Sequence, residues 1–100
     1  MRQEVGQPVA LEQDGVVELA VLAWVDGLVC ELRVPRAPAT GARCVLRLDP
    51  PGGRLELPFS VLSVDADEGE GAFGVVGRLT VRTRQRRALQ GWLAGLAARK

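Results

Sequence analysis

Apolar and polar residues alternate at a spacing of two over most of the chain, and short turn signals divide this alternation into six runs. A period of two belongs to strands with one buried face, so the pattern predicts a mainly β domain. Asp14-Gly15 separates a run around Val9 and Leu11 from a run over 16–25, and Asp26-Gly27 separates that run from one over 28–34. Asp-Gly supplies the positive φ of a tight hairpin, which predicts two hairpins in succession. In the second run Val17, Leu19, Val21 and Ala23 are expected to face inward, with Glu18, Ala20, Leu22 and Trp24 opposite. In the third, Leu28, Cys30, Leu32 and Val34 share the inner face, with Glu31 and Arg33 outside.

Residues 35–41 have the composition of a loop, after which Cys44, Leu46 and Leu48 alternate with Arg43 and Arg47. Cys30 and Cys44 are therefore expected as inward, buried thiols. Asp49-Pro50-Pro51-Gly52-Gly53 reads as a turn, because proline lacks the N–H that a strand ladder needs. Leu55, Leu57, Phe59 and Val61 hold one parity and Leu62 and Val64 the other, which predicts a bulge at 60–62. The acidic, glycine-rich stretch 65–71 is expected as a solvated loop, and Phe73, Val75, Leu79 and Val81 as the inward set of the sixth strand.

The period then changes. Leu89, Trp92, Leu93, Leu96 and Ala97 fall on one helical stripe, with Thr83 as the expected N-cap. A lone helix of this length is marginal in water, so its stripe must cover the mouth or flank of the sheet. The expected architecture is one domain over 1–100: a six-stranded antiparallel β-barrel over about 5–82 and a C-terminal α-helix over about 84–98.

Composition narrows the chemistry. The 100 residues suffice for one core only. Histidine is absent, which removes the commonest general base and metal ligand. Two cysteines without histidine partners cannot complete a zinc site. Neither catalytic nor metal-binding residues are therefore expected. No apolar stretch approaches the roughly 20 residues of a membrane span, and the N-terminus lacks an apolar signal core, so a cytoplasmic, soluble chain without membrane insertion is expected. Twelve Arg stand against one Lys, with no Asn, Tyr or Ile, the habit of GC-rich codons. Net charge is +1, yet residues 1–77 carry about −6 and residues 78–100 about +7. Such asymmetry either neutralises within the fold or marks an acidic partner.

Several local patterns carry a family resemblance over nearly the whole chain. A strand, glycine turn and strand occupy 19–32; Gly41-Ala42-Arg43-Cys44-Val45-Leu46-Arg47-Leu48 has a glycine, two residues and an apolar strand. A strand over 55–64 follows, then Phe73-Gly74-Val75-Val76-Gly77 before the last strand and Arg86-Arg87-Ala88-Leu89 at the helix start. The chain thereby resembles the PilZ domain. That resemblance implies a PilZ-like barrel and a role in bacterial signalling, in pilus assembly, motility or a regulatory complex.

PilZ receptors grip cyclic di-GMP with an R-x-x-x-R segment before the barrel and a D/N-x-S-x-x-G turn. Guanidinium groups meet phosphates and guanine faces, while short side chains and a glycine admit the ligand. Aligned on Gly27, Leu22 stands here in place of Asp or Asn and Trp24 in place of Ser. Upstream, Arg2-Gln3-Glu4-Val5-Gly6 has a glycine where the second arginine belongs. Both motifs are missing, so no cofactor is expected and cyclic di-GMP is not favoured as ligand. The resemblance then implies a non-enzymatic module acting through a protein partner or as a homodimer. Two alternatives stand beside it: a cyclic di-GMP receptor with a non-standard site of Arg84, Arg86, Arg87 and Gly27, and a small barrel that binds nucleic acid. The last is weaker, because no aromatic residue interleaves the basic run.

The candidate partner-binding residues are Trp24, Arg84, Arg87, Gly91 and Gly95. Trp24 is either a barrel plug, a residue packed on the helix or a strand edge, or a partner anchor. Arg84, Arg86 and Arg87 sit where the helix dipole disfavours cations, and call for compensation by the 65–70 carboxylates or by an anionic ligand or partner. Gly91 and Gly95, with Ala88, Ala94 and Ala98, leave a small-residue face suited to a second helix.

Overall fold

Asp14 and Gly15 have φ of 53° and 76°, the two positive values of a type I′ turn, and join strands β1 (Gln3–Gln13) and β2 (Val16–Asp26). Between β2 and β3 (Val29–Val34) the turn is Gly27-Leu28, one residue later than Asp26-Gly27, because Asp26 still pairs with Val29. Gly27 alone in that turn has positive φ, at 61°. The strands β4 (Arg43–Leu48), β5 (Leu55–Asp67) and β6 (Ala72–Leu79) follow, and the helix α1 (Thr83–Ala98) ends the chain. This computed structural model describes residues 2–50, 53–67 and 72–98. Residues 51–52 of the expected Pro-Gly turn and 68–71 of the acidic loop lie outside the described residues; 65–67, expected in that loop, extend β5 instead.

The six antiparallel strands close into a barrel in the order β1-β2-β3-β6-β5-β4. Closure rests on a short seam, where Ala10, Leu11 and Glu12 of β1 pair with Arg47, Leu46 and Val45 of β4. Arg47 fastens it by donating from Nη2 to Glu12 Oε1 at 3.0 Å. Three register shifts help to bend the sheet, in β1 between Glu4 and Gln7, in β2 between Leu22 and Trp24, and in β5 between Val61 and Ser63. The last is the bulge that the change of parity at Leu62 predicts.

Cys30, Leu32, Val34, Cys44, Leu46, Leu48, Leu57, Phe59 and Val61 form the core as the alternation predicts. β2 is inverted with respect to expectation. Ala20, Leu22 and Val25 are buried, whereas Val17, Leu19 and Val21 are 46%, 80% and 38% exposed. The physical reason lies in the strand itself: residues 16–25 are apolar on both parities, so the period does not choose a face, and the bulge at Ala23 then reverses the phase before Trp24. Leu28, expected inside, is exposed in the turn, and Val81, expected in β6, lies beyond its end and packs partly on the core.

α1 packs on β1 and β5 and borders the Gly27-Leu28 turn and Asp49-Pro50, so it lies at one end of the barrel. Leu89 is buried in the common core, and Ala88, Trp92 and Leu93 pack against it. Gln3 Nε2 donates to the Leu93 carbonyl at 3.0 Å and so ties β1 to the helix. The helix starts at Thr83, which is thus its first turn and not its cap. The Arg82 N–H donates to Gln85 Oε1 at 2.9 Å, the half of a capping box in which the third helical residue reaches back. At the opposite mouth Arg36 Nε meets Glu18 Oε1 at 2.9 Å, and Gln13 Nε2 donates to the Arg36 carbonyl at 3.2 Å.

Candidate functional site

Trp24 lies on the outer wall of the barrel, held between Glu4 of β1 and Glu31 of β3 by the strand register. Its indole Nε1 donates to Glu31 Oε2 at 3.0 Å. The Arg2 guanidinium covers the ring face at 4.4 Å from its centroid, and Arg2 Nε reaches Glu4 Oε1 at 3.0 Å. A cation over an indole contributes about 0.5–1 kcal/mol at an exposed site. The one arginine of the N-terminal segment and the indole at the turn therefore satisfy each other. Trp24 is not a plug in the barrel, because the bulge at Ala23 turns it to the outer wall.

Gly27 and Arg86 are brought together. They line a cavity of about 220 Å³ between the β2–β3 turn and α1, with Leu28, Val81, Leu89, Gln90 and Leu93 as the remaining wall. Arg84 and Arg87 do not line it and stand exposed on the helix. Among the described residues Arg84, Arg86 and Arg87 make no ion pair, and the first helical turn holds no acid. The expected compensation by the acidic loop falls in part on residues 68–70, outside the described residues.

Gly91 and Gly95 are exposed, and a Cβ added to either would meet no atom within 4 Å. With Trp92, Leu96, Gln7 and Pro50 they border a cleft of about 390 Å³. Of the small-residue face, Gly91, Ala94 and Gly95 are open, whereas Ala88 packs partly on the core.

The apolar outer face of β2 is a further candidate that sequence reasoning misses. Four of the six large exposed apolar residues, Val16, Val17, Leu19 and Val21, belong to β2 among the described residues. Pro8 and Ala10 of β1 pair with Val21 and Leu19 and extend the face sideways. A groove of about 470 Å³ runs beside Leu19 and Val21 toward Arg33 and Pro35. A signal was present in the chain, since a strand apolar on both parities has apolar residues left for its outer side.

The thiols are placed as expected. Cys30 and Cys44 face the barrel interior, and burial pushes the Cys30 thiol up to about 12. Such a thiol remains protonated and unreactive near neutrality.

In comparisons with known proteins no family model and no curated sequence matches the chain. Among solved structures it is similar to K. pneumonia MrkH in its apo state, with a TM-score of 0.71 and 17% identity. That likeness covers 99% of this chain and 50% of the MrkH chain, so the chain spans half the length of its structural neighbour. At this identity the likeness defines the fold. The class so defined is a PilZ-like six-stranded barrel closed by a C-terminal helix. No helix is long and apolar enough to cross a membrane among the described residues.

Proposed function

We propose that this chain is a non-enzymatic, cytoplasmic signalling module that uses the PilZ-like barrel to contact a protein partner and does not bind cyclic di-GMP. One observation carries the reading: Val17, Leu19 and Val21 form an outward apolar row on a closed barrel whose interior is already filled. Exposed contiguous apolar patches on soluble domains mark contact surfaces. The motif positions support the same view. Where a receptor of this fold needs polar groups and space for two phosphates, Trp24 fills the wall and is satisfied by Arg2 and Glu31. Pilus assembly, motility or a regulatory complex is the setting this reading implies.

The alternative nucleotide site gains less support. Gly27 and Arg86 do share a cavity, but about 220 Å³ falls below the roughly 300–1,000 Å³ of pockets that enclose small molecules, and Arg84 and Arg87 do not line it. The experiment that tests the proposal uses the wild-type chain and Leu19→Asp as paired baits in a bacterial lysate. Proteins retained by wild type and absent from the equally folded variant are the expected result; identical captures, or none, would overturn it.

A further inference from the structure

We infer that the cavity between the β2–β3 turn and α1 is a docking site for one apolar side chain of an acidic protein segment, with Arg86 receiving the adjacent carboxylate. The inference rests on the protein-partner reading above and adds a second, separate contact to it. The size of the cavity comes first. About 220 Å³ is too little for a dinucleotide and suits a single leucine- or phenylalanine-sized group. Its wall is chemically matched to such a group, since Leu28, Val81, Leu89 and Leu93 supply the floor and sides. Leu28 is 41% exposed there, an apolar side chain that an occupant would remove from water.

Charge then selects the occupant. Among the described residues of the lining the one cation is Arg86, and Gln90 stands one helical turn further along the same wall. Arg86 has no carboxylate partner among the described residues. A planar guanidinium presents paired donors that fit a carboxylate, and it loses little by leaving water at the rim of an apolar pocket. The same exposed helix start also carries Arg82, Arg84 and Arg87 and has no acid in its first turn, so the helix side of the rim is basic. Asp26 is the nearest acid in sequence to the turn, and it already has a partner of its own. A basic segment would meet repulsion at this rim, whereas an acidic one gains both a faster encounter and a fixed register.

The test is an NMR titration with a defined probe, the peptide acetyl-Glu-Glu-Leu-Phe-Glu-Glu-amide, against a control in which every Glu is Lys. The acidic peptide should give saturable shifts at Gly27, Leu28, Gln90 and Leu93, the basic one none. Arg86→Gln, an exposed substitution that leaves the spectrum dispersed, should weaken binding about tenfold. Equal affinity of Arg86→Gln, equal binding of the lysine peptide, or the absence of localised shifts would overturn the docking site. Cyclic di-GMP added to a parallel sample separates the two levels of the argument: saturable binding there would overturn the protein-partner reading itself, while failure of the peptide alone removes this cavity only.

Discussion

Gly77 of β6 lies directly beneath the Phe59 ring, and a Cβ at this position would overlap that ring and approach the Ser60 carbonyl oxygen at 2.6 Å. Phe59 is fully buried, so it has no free volume into which to move. Glycine is required here by space and not by backbone conformation. Gly77→Ala should destabilise the barrel by about 1–3 kcal/mol, the usual range for overpacking. Gly74→Ala, whose Cβ would meet its nearest atom at an ordinary 3.5 Å, should change stability far less. Urea denaturation of the two variants checks the contrast, and equal midpoints would contradict it.

The inverted face of β2 makes an equally direct prediction. Leu19→Asp places a carboxylate in water and should shift stability by no more than about 0.5 kcal/mol. Leu22→Asp places one inside the barrel, unpaired, and should abolish the cooperative thermal transition. Circular dichroism melts of both variants decide the matter, since the parity expected from the sequence requires the opposite outcome.

Trp24 reports on its own surroundings. In a Trp92→Phe background the remaining indole should shift its emission to the red when Glu31→Ala removes its acceptor or Arg2→Ala uncovers its face. Because the cluster lies on the outer wall, each loss should cost only about 1 kcal/mol. An unchanged spectrum would place the indole elsewhere.

Cys30 should titrate late. Burial raises its thiol from 9.0 to about 12, so the folded chain keeps a proton that the unfolded chain releases. Stability therefore has no contribution from this thiol below pH 9 and falls as pH rises from 9 toward 12, by up to about 1.4 kcal/mol per unit. Unfolding free energies at pH 8 and pH 10 should differ more for wild type than for Cys30→Ala. An equal difference in the two proteins would show that the thiol is accessible in the fold.

Much of this architecture is legible in the chain, for reasons that particular residues make clear. β3 and β4 alternate leucine, valine and cysteine with arginine and glutamate, so their inner faces follow directly. Leu62 announces its bulge because the parity of β5 changes around it. β2 defeats the same procedure, since it is apolar on both sides and the bulge at Ala23 leaves no mark in hydropathy. The position of Trp24 depends on that bulge and on two carboxylates from other strands, which only the register brings close. Capping preference favours Thr83 over Arg82 as the helix cap, whereas a reaching Gln85 lets arginine occupy the position. Of the candidate site, Gly27 and Arg86 line one cavity, while Arg84 and Arg87 stand elsewhere on the exposed helix start. The double parity of β2 signals an apolar outer face, but which residues form it is decided only when the strand is placed in the barrel.

Isothermal titration of the purified chain with cyclic di-GMP, at physiological salt and up to high micromolar ligand, is the most direct test of the central claim. The account predicts no heat beyond dilution, because Trp24 stands where the resembled motif has a short hydroxyl side chain and Arg2 is already engaged on its ring. Saturable micromolar binding would contradict it, and would assign the ligand to the basic helix start around Arg84, Arg86 and Arg87 instead.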